Sequence, residues 1–272
     1  MLSTLALPRA IAAVERKTFR AFAVTNRNLV AARHWGYWWV IFSGFFEPVL
    51  YLLSIGIGVG ALVGDLHLED GRVLSYAAFV APAMLAASAM NGALAETTMN
   101  FFGKMKYMRL YDGVLATPVT PFEVALGELC WALVRGSVYS FAFLAVMVAM
   151  DLTTWGWALA AFPITVLVGF GFGGLGMALT TFMRGWQDFD YVTVVQFGLF
   201  MFSGTFAPAE SFPPVMRVIV ELTPLYHGVE LVRAFTTGSL SVGVLWHAGY
   251  LLALAAVGLA VAGRRMGNLL LK

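Results

Sequence analysis

Charge is the scarcest commodity in this chain. Only 12% of its 272 residues are charged, against about 25% in a soluble globular domain, and the shortage excludes a water-soluble fold. One cysteine, Cys130, rules out an intrachain disulfide framework and any Cys-rich metal site. The four histidines, His34, His67, His227 and His247, have no metal-ligand spacing and read as interface or loop residues. No Gly-x-x-x-x-Gly-Lys-Ser/Thr occurs, so the chain has no phosphate-cradling loop of its own. If ATP drives it, another subunit binds the ATP. No Gly-x-Ser-x-Gly occurs either, and Ser203, with His227 and His247, sits in no nucleophile elbow. A net charge of +2 is too small to attract nucleic acid.

What is abundant is apolar surface. The composition is 60% hydrophobic with a mean hydropathy of +0.80, which defines an integral membrane protein. The expected fold is all-α, with six transmembrane helices at about 36–63, 74–96, 122–149, 156–182, 190–206 and 243–263, each near or above the roughly 20 residues a spanning helix needs. The fifth is the shortest. Trp35, Tyr37, Trp38 and Trp39 open the first segment, and Trp155 and Trp157 open the fourth, as interfacial aromatic anchors do.

Loop charges orient these spans. With the N-terminus inside, Arg9, Arg16, Lys17, Arg20, Arg27, Arg33, Lys104, Lys106, Arg109, Arg184, Arg264, Arg265 and Lys272 face the cytoplasm, and only Arg72, Arg217 and Arg233 face outward. The positive-inside rule selects that orientation, and an even number of spans returns the C-terminus to the cytoplasm.

Residues 1–34 carry recurrent charges and no apolar run before a cleavage site, so they are not a signal peptide. At 100° per residue, Arg9, Arg16, Arg20 and Arg27 fall within about 40° of one another, opposite Ile11, Val14, Phe22 and Leu29. This predicts an amphipathic helix along the membrane surface, its basic stripe towards anionic lipid headgroups or an acidic partner. A solvated positive flank with no partner is the other reading.

The stretch Met108–Pro121 is polar and broken by Gly113, Pro118 and Pro121, so its backbone must lie outside the bilayer. A short helix ending at Thr117 before the first proline is expected, a handle by which a separate motor protein moves the rest of the chain. The segment at about 207–240 holds Pro208, Pro213, Pro214 and Pro224 among apolar residues. It is too broken to span and too apolar to float free, and two short re-entrant outer helices satisfy both constraints.

Inside the fourth segment, Gly171-Phe-Gly-Gly-Leu-Gly176 matches a dinucleotide fingerprint only in letters, because that motif must lie between a strand and a helix. Gly169 with Gly173, and Gly56 with Gly60 and Gly64, instead have the spacing that lets helices approach closely. Few ionisable residues fall within spans, and each is a functional suspect. Glu47 precedes Pro48 in the first, open to a structural or a substrate role. Arg135 in the third lies two turns from Glu128, within reach as a structural clamp, with substrate contact the other reading. Glu96 and Glu123 lie near span ends and are expected to meet headgroup water. The Arg184–Asp190 loop either caps two helices or touches a partner.

Three stretches carry a resemblance over nearly the whole chain: Glu47–Gly58; Tyr111-Asp-Gly-Val-Leu-Ala-Thr-Pro-Val-Thr-Pro121 running into Glu123 and Gly127-Glu128; and Phe202-Ser-Gly-Thr-Phe-Ala-Pro208 through Phe212-Pro213 to Thr223-Pro-Leu-Tyr-His227 and Arg233. They resemble the permease subunits of type 2 ABC exporters, in the branch that contains nodulation-factor (lipo-oligosaccharide) and daunorubicin-type drug resistance exporters. The resemblance implies a half-transporter of the bacterial plasma membrane that dimerises, most simply with a second identical copy. It also implies two ABC ATPase subunits, which hold the ATP and Mg. The coupling surface to them would be Met108, Leu110, Tyr111, Asp112, Leu115 and Thr117, flanked by Arg16 and Arg20. A substrate path between the copies would use Glu47, Asn91, Tyr191, Gln196, Phe197, Phe200 and Met201, and an outer gate Phe206, Phe212, Pro224 and Tyr226. An apolar path with sparse hydrogen-bonding groups suits an amphiphile better than an ion. A scaffold subunit that moves nothing, and a membrane enzyme such as a protease or lipid transferase, are the competing readings.

Overall fold

The computed structural model describes residues 20–32, 46, 49–50, 52–67, 71 and 73–270. Among them, helix α1 covers 20–32. A π-helical then α-helical piece, Ser54–Val63, leads into a short antiparallel hairpin of β1 (Asp65–His67) and β2 (Val73–Ser75), in register Leu66 to Leu74. Then come α2 (Tyr76–Tyr107), α3 (Leu110–Leu115), α4 (Pro121–Ala149), α5 (Trp155–Thr180), α6 (Asp188–Met201), α7 (Pro214–Leu222), α8 (Pro224–Thr237) and α9 (Gly243–Leu270).

Four of these helices, α2, α4, α5 and α9, are long and apolar enough to cross a membrane. This corrects the expectation of six spans. The span expected at 36–63 falls largely outside the described residues. The one expected at 190–206 is α6, only 14 residues long, or roughly 21 Å against the roughly 30 Å of hydrocarbon. Its helix stops because the chain turns at Gly204, whose φ of +70° lies in the left-handed region that favours glycine. The Ser203 and Thr205 hydroxyls close that turn at 2.8 Å. The hairpin is a second departure from an all-helical expectation.

Local sequence sets the helix ends. Thr120 caps α4 by accepting the Glu123 amide while the Glu123 carboxylate accepts the Thr120 amide at 2.7 Å, with Pro121 at the first helical position. This reciprocal box satisfies donors a helix start leaves open. Ser75 caps α2 and Thr223 caps α8 by a single arm, their hydroxyls accepting the Ala78 and Tyr226 amides. Helix α2 continues eleven residues beyond Glu96 through two π-helical turns, Glu96–Asn100 and Gly103–Tyr107, where the sequence suggested an end.

Helix α5 is the hub of the bundle. A Cβ on Gly173 would meet Leu129 at 2.3 Å, one on Gly176 the Thr97 hydroxyl at 2.2 Å, and one on Gly174 the Ala255 carbonyl oxygen at 2.8 Å. The glycine run therefore lets α4, α2 and α9 all close on one helix, the tight packing its spacing predicts. Helix α8 lies antiparallel along the first half of α5. Gly228 packs on Val168 while Thr153 Oγ1 donates to the Thr236 carbonyl at 2.7 Å. The ends of α2, α5, α6 and α9 that carry Lys104, Lys106, Arg184 and Arg265 gather at one end of the bundle. Lys106 donates to the Arg184 carbonyl at 2.6 Å, and Arg265 to Thr181 at 3.1 Å.

Candidate functional site

Between α2, α4 and α6 lies a cavity of about 570 Å³. By area its walls are mostly apolar, from Met84 towards the hairpin end of α2 to Phe197 and Phe200 on α6. Polar side chains interrupt them: Ser88, Asn91, Glu96 and Asn100 of α2, Arg135 and Tyr139 of α4, and Thr193 and Gln196 of α6. Gln196 Nε2 donates to Asn91 Oδ1 at 3.1 Å, joining α6 to α2. Nearer the basic end, Arg135 of α4 is ion-paired with Glu96 of α2, and its Nε donates to the Tyr139 hydroxyl at 2.9 Å.

Glu96 opens the first π-helical turn of α2, and such bulges re-aim side chains where function needs them. The turn is held from both sides. Thr97 and Thr98 return their hydroxyls to the Ala93 and Leu94 carbonyls at 2.7 and 2.6 Å, and Thr180 Oγ1 donates to the Thr97 carbonyl at 2.8 Å. The back-bonds satisfy carbonyls that a widened helix leaves open.

The expected clamp between Glu128 and Arg135 does not form. Glu128, 4% exposed, instead accepts Arg27 of α1 at 2.8 Å and Lys104 of α2 at 2.6 Å. Glu96, expected in headgroup water, is buried at 8%. Depth explains both corrections. Glu96 stands eleven residues above Tyr107 and Arg135 fourteen above Pro121, or roughly 17 and 21 Å from a shared end. Glu128 stands only seven above it, roughly 10 Å, within reach of Lys104 in the last turn of α2. Counting from the common end of antiparallel neighbours is the signal that pairs them.

Of the expected path residues, the cavity brings together Asn91, Gln196, Phe197 and Phe200. Tyr191 is exposed on α6 and Met201 half-buried at its end, neither in the wall. Glu47 lies outside the described residues, as does Arg16.

At the basic end, α3 occupies the expected handle. Arg109, with φ of +46°, makes the tight reversal from α2 into α3, a conformation rare outside glycine. Tyr111 is fully buried, its ring 5.3 Å from Phe101. Burial, and next the Glu128 charge, push its phenol well above the ordinary range. Tyr111 therefore anchors α3 to the bundle and is not a surface a partner can push on. Leu110 and Leu115 are half-buried; Met108, at 72%, Asp112 and Thr117 are exposed. Arg20 donates to the Pro118 carbonyl at 2.8 Å. Helix α1 thus turns Arg20 to the Pro118 carbonyl and Arg27 to Glu128 while Phe22 faces out; Arg9 and Arg16 of the expected stripe lie outside the described residues. Its close seat requires Gly127, where a Cβ would stand 2.5 Å from the Ala21 carbonyl oxygen.

The Arg184–Asp190 loop is pinned to the same end. Asp188 accepts the Arg184 and Gly185 amides at 2.6 and 3.3 Å, which lowers its carboxyl below the usual range, and Trp186 stacks on Tyr107 at 5.3 Å.

At the opposite end, Phe206 sits edge-on to Phe200 at 5.2 Å and its carbonyl accepts Tyr76. Tyr226 packs by Gly204 and edge-on to His227 and His247. Phe212 and Pro224 are half-exposed at the starts of their turns. Sequence reasoning missed two features here. Arg233, buried, stacks on Phe79 at 3.9 Å and donates to the Gly204 carbonyl at 2.9 Å. His227 and His247, twenty residues apart, meet through their Nδ1 atoms at 2.7 Å.

Residues 20–236 match the pattern of the ABC-2 type transporter family. The chain belongs to that family. It is 32% identical over 212 residues to nodulation protein J of Rhizobium leguminosarum bv. viciae, covering 78% of this chain and 80% of that one. To nodulation protein J of Rhizobium meliloti strain 1021 it is 30% identical over 248 residues, 91% and 92% of the two chains. It is also similar to the inner membrane transport permease YadH of Escherichia coli K12, 25% identical over 195 residues, 71% and 72% of the two chains. An ABC-2 permease is the non-catalytic transport component of its system, so this chain is a membrane permease subunit. The cavity and the basic-end surface are to be read as parts of that component.

Proposed function

We propose that this ABC-2 permease forms, with a second copy of itself, the membrane path of a bacterial inner-membrane exporter. In this reading two separate ATPase subunits bind ATP and Mg and engage the exposed surface around Met108, Asp112 and Thr117. The cavity between α2, α4 and α6 holds the cargo, an amphiphile, on its way outward. The observation that carries the reading is the cavity itself. Largely apolar walls interrupted by the Asn91–Gln196 and Glu96–Arg135 pairs and by Ser88, Asn100, Tyr139 and Thr193 offer contacts to both the tail and the head of an amphiphile. The name of the similar E. coli protein supports the inner membrane and a transport role.

A cavity-filling variant tests it. Gly92 lines the cavity, and a Cβ there would meet nothing within 4 Å, so Gly92→Trp adds bulk to empty space. Reconstituted with its ATPase, the wild type should show amphiphile-stimulated ATP hydrolysis and transport. Gly92→Trp should assemble with the ATPase and lose the stimulation. Undiminished stimulation would remove the cavity from the path.

A further inference from the structure

We propose that His227 of α8 and His247 of α9 form an acid-sensitive latch at the end of the bundle opposite the basic one, closed while both rings are neutral and released by protons. By the positive-inside rule that end faces the outer solution, so the protons come from outside.

The two Nδ1 atoms stand 2.7 Å apart. One ring therefore donates, and the other must keep a bare lone pair at Nδ1. His227 is buried and stacked on Tyr250 with ring centroids 4.0 Å apart, while Tyr226 stands edge-on to both imidazoles. The Tyr250 hydroxyl donates to the Leu222 carbonyl at 3.2 Å. Four rings thus tie the start of α9 to the start of α8 and the end of α7. A first proton enters the free Nε2 of the donor ring and leaves the bond in place, but it puts a cation into this enclosure. A second must take the bonded Nδ1, and the bond is lost.

Little around the pair offsets such a cation. Both histidines lie within five residues of a helix start, where the helix dipole opposes positive charge. Glu230, one turn on along α8, is held by Arg233 at 2.5 Å, and Glu221 of α7 is held by Arg217 at 2.7 Å. Glu210, in the turn before α7, is exposed. Arg233 is itself a buried positive charge on the same helix. Helix α5 has no ionisable residue between 155 and 180, α2 has Tyr76 alone before Glu96, and the α6 acids Asp188 and Asp190 lie in its first turn, at the basic end. Burial first, and then the His247 ring, push the His227 imidazole down to about 4.

An imidazole released into water returns to about 6.5, so local opening of α8 from α9 takes up protons. The latch is at full strength above pH 6.5. It weakens as pH falls from about 6.5 towards about 4, because in that window the open state binds protons that the closed state refuses.

Hydrogen exchange of the full chain in nanodiscs, read as protection factors corrected for the intrinsic pH dependence of exchange, tests the latch. Protection across 225–237 should fall roughly sevenfold or more from pH 6 to pH 5, the factor for one histidine moving between these two pKa values. Peptides of α4 and α5 should keep their protection. His227→Asn, which leaves an amide near the Nδ1 position, should flatten the pH dependence, and His227→Gln should do the same. Both variants are judged by the slope with pH, which a lower absolute protection does not hide. Glu230→Gln should keep the wild-type slope. Protection in the wild type that is equal at pH 6 and pH 5 overturns the latch, and protection that rises at pH 5 overturns it by showing that the added proton tightens the pair. A slope that persists in both His227 variants and vanishes in Glu230→Gln assigns the acid response to the Glu230–Arg233 pair and overturns it equally.

Discussion

Lys104 of α2 lies 2.6 Å from Glu128 of α4, and the same carboxylate holds Arg27 of α1 at 2.8 Å. Asn28 Oδ1 accepts from both cations, at 3.0 Å from Arg27 and 3.3 Å from Lys104, so three helices meet on one buried acid directly above Tyr111. Any movement of α3 is passed first to this cluster, because Tyr111 packs under it with no exposed surface of its own.

Glu128→Ala should therefore lower the unfolding free energy by about 3 kcal/mol, since it strands two cations where one carboxylate served both. The cations are 32% and 19% exposed, which keeps the loss at the lower end of that range. Glu128→Leu combined with Lys104→Met should cost less than the sum of the single changes, as coupled partners do. Thermal unfolding in detergent, run as a double-mutant cycle, measures both.

Tyr111 and Met108 should separate folding from docking. Among the described residues the buried Tyr111 hydroxyl has no hydrogen-bond partner, so Tyr111→Phe should change stability by less than about 1 kcal/mol. Tyr111→Ala empties a packed site and should cost about 3–5 kcal/mol. Met108, 72% exposed, should tolerate Met108→Glu without loss of stability while that change weakens ATPase binding in a pull-down. A Tyr111→Ala variant as stable as wild type would show that α3 is not anchored through this ring.

The sequence announced the features that depend on local pattern and hid those that depend on depth and pairing. Pro121 after Thr120, with Glu123 three residues on, marks the start of α4, and the Gly169–Gly176 run marks the helix on which the others close. Asn91, Gln196, Phe197 and Phe200 stood out as sparse polar groups and aromatics in apolar runs, and they do share one cavity. Arg135 and Glu128 share one helix face, which suggests a pair, whereas Arg135 finds Glu96 on α2 and Glu128 finds Arg27 on α1 and Lys104 on α2, each at its own height. The run 190–206 has the length of a short span with apolar residues throughout its middle, yet α6 ends at Met201 and Gly204 turns the chain. Burial of Tyr111 followed from no pattern within α3. It comes from Phe101 and Leu129 on neighbouring helices, which the sequence of α3 does not mention.

Gly258 should be the least replaceable glycine of α9. A Cβ there would stand 2.3 Å from the Gly174 carbonyl carbon and 2.7 Å from the Leu175 amide nitrogen. Both are backbone atoms that cannot rotate away. Gly258→Ala should force α5 and α9 apart and destabilise by about 1–3 kcal/mol. Gly136→Ala is the control, because nothing lies within 4 Å of its added carbon, and it should be neutral or stabilising through helix propensity. Melting temperatures of the two variants, compared in one detergent, decide it.

Arg233 is the pin of the outer segment. It is buried, stacked on Phe79 at 3.9 Å, paired with Glu230 at 2.5 Å and bonded to the Gly204 carbonyl at 2.9 Å. One side chain thereby ties α8 to the first turn of α2 and to the turn that ends α6. Arg233→Met keeps much of the apolar stem but leaves the Gly204 carbonyl without its donor and Glu230 without its cation, so the 202–213 stretch should open before the bundle does. Arg233→Lys should not rescue it, because an ammonium cannot stack flat on Phe79 while reaching two acceptors. Limited proteolysis from the outer side should cut both variants between 202 and 213 at protease levels that leave the wild type intact, with the melting of α4 and α5 little changed. If the lysine variant resists cleavage as the wild type does, charge alone holds the segment and the stacked, forked geometry is dispensable.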